Sequence, residues 1–228
     1  MSILTVFYIK LVLCTLLTLA LLGAVRFRAQ FARWQQDATA GGLVFALGFI
    51  LLRLLPWVGI FVVLNETPRG DVPFFFYKAE AAKLGGIVYR DFWSYHAPLF
   101  SYIISLPLWL WHNARAIVLL MVVVEGLVLW ATYSVYRPHK PDALLFSVVY
   151  WLLPASFMYV LIDGQEEVWF WGIGVMMLAH VYRSTKDPET RLGQLFALAL
   201  LTIKVTFIFL LPPLLVLVRK PLKMLFVM

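Results

Sequence analysis

The chain contains several apolar runs that are about as long as a lipid bilayer is thick. Runs of 18 or more residues predict membrane-spanning helices, because roughly 20 residues at about 1.5 Å rise each cross the hydrocarbon core. Apolar and polar residues do not alternate within the runs, which argues against the strands of a membrane barrel. With 63% hydrophobic residues among 228, the sequence predicts an all-α, polytopic helical bundle in a membrane.

Seven apolar runs are separated by shorter polar segments. They are Ile3–Val25, Gly41–Leu64, Ala97–Trp111, Ala114–Tyr136, Ala143–Ile162, Val168–Tyr182 and Leu192–Val218. We expect about six or seven transmembrane or half-length helices, with interfacial helices in the first outer loop. Residues 1–228 form one transmembrane domain in this interpretation. Residues 3–25 are an additional N-terminal helix, residues 41–228 are the main module, and residues 65–113 are an extracytoplasmic loop.

The positions of Lys and Arg predict the orientation of the helices. These residues stay preferentially on the cytoplasmic side, so Arg26, Arg28 and Arg33 place the first connection inside and the next loop outside. The formal net charge of +7 indicates contact with anionic membrane lipid. Nucleic acid is not expected as a partner, because the cations are dispersed around apolar runs.

Two of the runs allow alternative topologies. Residues 97–111 are short for a crossing and carry Pro98 and Pro107. If they lie at the membrane boundary, the basic segments Arg137–Lys140 and Arg183–Arg191 both fall on the cytoplasmic side. This arrangement is favoured because Lys and Arg prefer that side. Residues 192–218 are interrupted around Lys204, so they form either one long tilted helix or two half-length helices that dip in and return.

Carboxylates collect in two polar segments, residues 65–98 and residues 163–167. A bilayer imposes a cost of several kcal/mol for each buried ionic group, so these segments lie outside the hydrocarbon. If residues 97–111 do not cross the membrane, both segments lie on the outer face. Their carboxylates can then face a shared site. The first segment also supplies cations, an imidazole and aromatic residues, a combination that suits a phosphate-bearing lipid substrate.

Several candidate site residues also have a structural interpretation. Asp71 precedes a predicted helix that ends at Gly85. Asp is a good N-cap residue at the start of such a helix. Arg90 and Asp91 can pair with each other. The spacing of Asp163 and Glu166 is that of a capping box, although this leaves the role of Glu167 unexplained.

Arg53 and Glu125 lie near the middle of apolar runs, where ionic groups usually face a partner inside the bundle. A buried structural pair between them is at least as well supported as a catalytic role.

The outer loop resembles that of a known enzyme superfamily. The residues from Asp71 to Phe100 are similar to the first outer loop of GT-C membrane glycosyltransferases. The similar features are Asp71, an aromatic-rich helix, Gly-Gly-Ile-Val-Tyr-Arg-Asp-Phe-Trp from Gly85, and Pro-Leu-Phe from Pro98. The likeness is to family 39 and the protein mannosyltransferases, and it covers about residues 41–228. Tyr89–Trp93 is its most specific part. The resemblance implies the N-terminal module of such an enzyme, in the plasma membrane of a prokaryote.

The resemblance also implies roles for individual residues. Asp71 would be the general base in sugar transfer from a dolichyl- or undecaprenyl-phosphate-linked donor to an acceptor hydroxyl. Lys83, Arg90 and His96 are the candidate cations for the departing phosphate, and Asp91 belongs to the same binding segment.

Asp163, Glu166 and Glu167 would bind sugar or acceptor hydroxyls, or a divalent metal ion in the relatives that use one. No other cofactor is implied. In place of the basic residue usual after Phe-Trp, this chain has Tyr95 and His96.

The resemblance leaves an alternative of a different class. The family enzymes continue through more helices, so the chain is also interpretable as a non-catalytic or partner-dependent scaffold or lipid-binding subunit derived from that fold. A partner chain would then supply the C-terminal helices. A small transporter is less well supported, because only residues 192–218 are interrupted, whereas transporters usually have matching interruptions in two halves.

Overall fold

A computed structural model describes residues 3–183, 188–202, 204, 208–209, 211–218 and 220–227. These residues form helices joined by loops and contain no β-strand. The helices are α1 (Ile3–Arg26), α2 (Arg28–Gln36), α3 (Ala38–Val63), α4 (Val72–Lys83), α5 (Pro98–Trp109), α6 (Ala114–Tyr136), α7 (Ala143–Leu152), α8 (Pro154–Ile162), α9 (Glu167–Arg183), α10 (Pro188–Thr202), α11 (Leu211–Leu217) and α12 (Pro221–Val227). The predicted all-α bundle is confirmed.

Three helices are long and apolar enough to cross a membrane: the segment Phe7–Arg26 of α1, and the whole of α3 and α6. The pair α7 and α8 forms a fourth candidate, bent by 56°. By contrast, α5 joins a turn of 3₁₀ helix to eight α-helical residues. It is only about 18 Å long, against a hydrocarbon core of about 30 Å. The boundary position of residues 97–111 stays a prediction.

Helix α6 lies at the centre of the bundle. In its most apolar stretch 56% of the residues are buried, against 11% in α1 and 17% in α3. Val118, Met121 and Val122 are fully buried, and α4, α8 and α9 all pack against α6. The outer helices α1 and α3 instead expose large apolar side chains, as expected of surfaces that face lipid or another protein.

A buried ion pair joins α3 to α6. Arg53 and Glu125 are both fully buried, and Arg53 Nε lies 2.7 Å from Glu125 Oε2. The pair considered from the sequence is therefore present. The same two helices also contact each other through Phe45 and Trp130 and through Phe49 and Gly126. The pair matches the structural interpretation of these two charges.

Two prolines explain why the same guanidinium makes further bonds. Pro56 has no N–H to donate to the carbonyl of Leu52, and Arg53 Nη1 donates to that oxygen at 2.9 Å. The bend before Pro154 interrupts the hydrogen bonds at the end of α7, and Arg53 Nη1 also donates to the carbonyl of Trp151 at 3.1 Å. Arg53 therefore satisfies backbone oxygens that an unbroken helix would have paired internally.

Helices α10 and α12 pack closely at the C-terminal part of the chain. A Cβ built on Gly193 would lie only 2.5 Å from the carbonyl oxygen of Met224, so the chain returns to the start of α10 after α11. Lys204 lies at the opposite end of α10. This is the arrangement of two half-length helices and not of one tilted helix. Part of the interrupted run, residues 203, 205–207 and 210, lies outside the described residues.

Candidate active site at the Asp71 end of the bundle

Helix α4 has two faces with different surroundings. Phe74 and Tyr77 are mostly exposed, and they form an apolar stripe on the outer side of the helix. The opposite face is buried: Phe75 is almost inaccessible, Ala79 fully so, and Lys78 retains only 5% exposure. The sequence correctly predicts the helix. The buried face carries a cation into the protein, and the site is built around it.

Asp71 lies immediately before α4, but its side chain does not cap the helix. Its Oδ2 instead accepts a hydrogen bond from Gln165 Nε2 at 3.1 Å. Gly70 has φ +62° and lies against Asp163. A Cβ added to Gly70 would lie only 3.2 Å from the Cβ of Asp163. The segments around residues 71 and 163–167 therefore meet, as expected, and the simple N-cap interpretation of Asp71 is wrong.

Glu166 is the buried acid of this site. Its side chain is fully inaccessible, and its Oε1 is contacted by Lys204 Nζ and lies 2.9 Å from His96 Nε2. Among the described residues, its Oε2 has no hydrogen-bond partner. The next helix begins only at Glu167, so Asp163 is not its N-cap. The predicted capping box is wrong, because Glu166 binds cationic and imidazole groups from elsewhere in the chain.

His96 links Glu166 to Lys78. The imidazole of His96 stacks on Phe100 with 4.3 Å between ring centroids. The backbone N–H of His96 donates to Ser94 Oγ at 3.1 Å. Lys78 Nζ lies 3.2 Å from Nδ1. A charged ammonium can only donate, so Nδ1 accepts and Nε2 carries the proton that is donated to Glu166. This assignment of the tautomer follows from the hydrogen-bond network.

The environment shifts the pKa of both charged residues next to His96. Burial acts to raise the pKa of Glu166, but the hydrogen bonds from His96 and Lys204 outweigh it and hold the pKa at about 2. Burial lowers the pKa of Lys78, and the carboxylates of Glu166 and Asp71 oppose this shift. The site therefore keeps Glu166 ionised, and its carboxylates favour the charged form of Lys78.

The remaining two acids of the second segment lie at the edge of this cluster. Asp163 follows the end of α8 and packs against Gly70. Glu167 is exposed, and its Oε1 lies 3.4 Å from Lys204 Nζ. Lys204 thus lies between two neighbouring carboxylates, those of Glu166 and Glu167.

Three residues proposed from the sequence do not join the cluster. Lys83 Nζ donates to the carbonyl of Leu108 at 2.8 Å, away from His96. Arg90 and Asp91 form a two-bond pair at 2.9 and 2.8 Å. The hydrogen bond from Arg90, and then that from the Ile87 N–H, lowers the pKa of Asp91 to about 2. The structural interpretation of Arg90 and Asp91 is therefore the one observed.

Two cations of the site were not among the residues selected from the sequence. Lys78 follows Asp71 by seven residues, a spacing that places both on one face of a helix, and this spacing could have identified it. Lys204 interrupts an apolar run, where a charge usually faces a partner. Its specific partner, Glu166, depends on how α9 and α10 pack and was not available from the sequence.

The carboxylates fit a cation-paired site better than a divalent metal site. Within the described part of the chain, no group of three or more His, Cys, Asp or Glu side chains is close enough to hold a metal ion. The carboxylate of Glu166 already faces Lys204 and His96. A divalent ion there would meet these positive or donor groups, whereas such ions prefer oxygen ligands.

No family model, no curated protein and no solved structure matches the chain. The cluster consists of Asp71, Lys78, His96, Glu166 and Lys204, and is called the Asp71 cluster below.

Proposed function

We propose that this chain is a membrane glycosyltransferase module that transfers a sugar from a polyprenyl-phosphate donor to an acceptor hydroxyl. The observation that carries this proposal is the position of Asp71. Its exposed carboxylate is bonded to Gln165, next to Glu166 and its partner Lys204. A solvent-accessible carboxylate beside fixed cations suits base-assisted transfer of a sugar from a phosphate.

In the proposed reaction, Asp71 takes the proton of the acceptor hydroxyl while the acceptor oxygen forms a bond to the anomeric carbon. The bond from that carbon to the phosphate oxygen breaks, and its electron pair leaves with the polyprenyl phosphate. The oxygen attacks from the face opposite the leaving group, so the anomeric configuration inverts. Negative charge therefore grows on the departing phosphate, and that charge is what the protein has to stabilise.

Lys204 and Lys78 are the cations suited to stabilise this phosphate. The side chain of Lys204 is 27% exposed, and its Nζ lies between the buried Glu166 and the exposed Glu167. Lys78 is fixed against His96 Nδ1. A cation held in place before the reaction stabilises developing charge without reorganisation at the moment of bond breaking. In this scheme His96 and Glu166 position the two lysines and do not touch the reacting atoms.

The surroundings of the cluster suit a lipid-linked donor. The exposed apolar stripe of α4, which includes Phe74 and Tyr77, adjoins the cluster and offers a surface for the polyprenyl chain. A phosphate at headgroup depth would then reach the lysines. We assign the cluster to the extracytoplasmic face of a multi-pass protein in a prokaryotic plasma membrane, following the distribution of basic residues.

The test is sugar transfer by purified protein from polyprenyl-phosphate donors carrying different sugars. Replacing Asp71 by Asn removes the base with little change of shape, and we expect turnover to fall by about 100-fold or more. Glu80→Gln is the matched control, because Glu80 lies on the same loop helix but bonds to His112, outside the cluster. Undiminished turnover by the Asp71 variant contradicts the proposal.

A second function is favoured by one observation. Glu166 is fully buried and bonded to both His96 and Lys204, an arrangement also found where ion pairs hold helices together. On this basis the chain would be a non-catalytic subunit that binds lipid or a partner chain. The purified wild-type protein would then transfer no sugar in the absence of a partner chain. The Asp71→Asn variant would bind the lipid or the partner chain as well as the wild-type protein does.

A further inference from the structure

The opposite end of the bundle contains two adjacent cavities that the proposed function does not use. One has a volume of about 500 Å³ and lies between α2, the end of α6 and the following turn. The other, of about 570 Å³, lies between α6, α7 and α9. Tyr133 lines both cavities. Small-molecule sites typically have volumes of about 300 to 1,000 Å³. Each cavity is therefore large enough for part of a ligand.

Tyr133 presents a buried polar group to this region. Its side chain is 2% exposed, and among the described residues its hydroxyl has no hydrogen-bond partner. The hydroxyl lies beside Gly41, where an added Cβ would come within 2.7 Å of it. A buried hydroxyl without a partner is costly, and a ligand that accepts a hydrogen bond would remove this cost.

The first cavity also carries a cation in a fixed position. Arg137 lines it, and its Nε donates to the carbonyl of Gln35 at 3.2 Å. Within the described part of the chain, Arg137 forms no ion pair with a carboxylate. The side chain of Gln35 is bonded to the backbone of the 137–144 turn, including Lys140 O at 2.7 Å and Leu144 N at 2.8 Å. The turn that holds Arg137 is therefore locked to α2.

The second cavity continues the site with apolar walls. Leu129, Phe146 and Trp171 line it, and Phe146 is 62% exposed at the side of the bundle. Lys140 and Asp142 line the same cavity, and the Asp142 carboxylate is paired with Arg28. Tyr133 is in the last turn of a candidate spanning helix, so a ligand here has its polar part at the membrane boundary and its apolar part among the helices.

We propose that these two cavities form a binding site for one anionic phospholipid from the surrounding membrane. The phosphate contacts Arg137 and the Tyr133 hydroxyl, and Lys140 adds a second positive charge. An acyl chain lies along Leu129 and Phe146. Juxtamembrane basic residues attract anionic lipid generally; this site differs because a buried hydroxyl and a fixed guanidinium select a phosphate at one place. The proposal is independent of the proposed sugar transfer.

The site can be tested by native mass spectrometry of the full chain in neutral detergent. Protein is titrated with phosphatidylglycerol, with phosphatidylcholine, or with inorganic phosphate alone. We expect one phosphatidylglycerol molecule per chain to be retained, with weaker retention of phosphatidylcholine. Arg137→Gln and Tyr133→Phe should each weaken this binding by about tenfold or more, the effect of losing one hydrogen bond to a charged group.

Arg33→Gln is the matched control. Arg33 is an exposed cation on α2 at the same end of the bundle, and it lines neither cavity. Its loss should leave phosphatidylglycerol binding unchanged. If it weakens binding as much as Arg137→Gln does, or if phosphatidylcholine binds equally well, the defined site is refuted. Saturable binding of inorganic phosphate with the same affinity would replace the lipid by a soluble anion. If Arg137→Gln does not fold, Tyr133→Phe decides.

Discussion

The buried carboxylate of Glu166 makes a quantitative prediction about stability and pH. Its pKa lies at about 2, against an ordinary value of 4.5. A shift of this size corresponds to about 3 kcal/mol of folding free energy, at about 1.4 kcal/mol for each pH unit. Because the pKa is lowered on folding, this stability is fully present above pH 4.5. It is lost as the pH falls toward 2, and about 2 kcal/mol of it is gone by pH 3.

The contribution is isolated by comparing wild type with Glu166→Gln. The variant cannot titrate at this position, so we expect its free energy of unfolding to fall less steeply than that of wild type between pH 6 and pH 3. The measurement is unfolding by SDS in mixed micelles, followed by near-ultraviolet circular dichroism. Near pH 6 the variant should also be less stable by about 3 kcal/mol, because Lys204 loses its buried counter-charge.

Glu80→Gln serves again as the control, since Glu80 is partly exposed and bonds to His112. It should keep the acid-dependent loss of wild type. Parallel stability profiles for wild type and Glu166→Gln between pH 6 and pH 3 would refute the argument. Such a result would mean that the bonds from His96 and Lys204 do not favour the ionised form of Glu166 in the folded protein.

Two further predictions concern the interior and the loop. Replacing Glu125 by Leu should cost about 3–5 kcal/mol in the same unfolding assay, because Arg53 keeps an unpaired buried charge. The double variant with Arg53→Met should cost less than the sum of the two single changes, and strict additivity would contradict the pair. Gly164→Ala should lower stability by about 1–3 kcal/mol, since Gly164 has φ +61° and its added Cβ would lie 2.5 Å from Val72 Cγ2. An unchanged melting temperature would count against this strain.

Most of the fold is predictable from the sequence because burial in a membrane leaves few choices. Long apolar runs have to satisfy their backbone groups internally, so they become helices. The bends within them are harder to predict. α3 contains π-helical stretches on both sides of Leu55–Trp57, and the bend between α7 and α8 occurs at Pro154. Proline identifies the place of a bend, but its angle depends on which neighbour satisfies the freed carbonyl groups.

The site is predictable only where contacts follow from topology. Asp71 and Glu166 come together because both segments lie at the same end of the bundle, which the apolar runs already indicated. Lys83 and Arg90 lie close to Asp71 in the chain, which predicts the same site for them, yet each is bonded elsewhere. The position of Lys78 depends on which face of α4 packs against α6. The face with Phe74 and Tyr77 stays exposed, whereas the face with Lys78 is buried by packing.

The buried ion pair and the Asp71 cluster are connected through α8. Arg53 Nη2 donates to Ser156 Oγ at 2.7 Å, directly after the bend, and Asp163 begins the loop at the other end of α8. α8 has about nine residues and is about 13 Å long. A change of about 10° at the bend would therefore move the loop that carries Glu166 by about 2 Å, enough to break its bonds. A change of Arg53 that shifts this bend would therefore disturb the cluster without a direct contact. Effects of changing Arg53 and Glu166 on stability should be non-additive, although the residues have no direct contact.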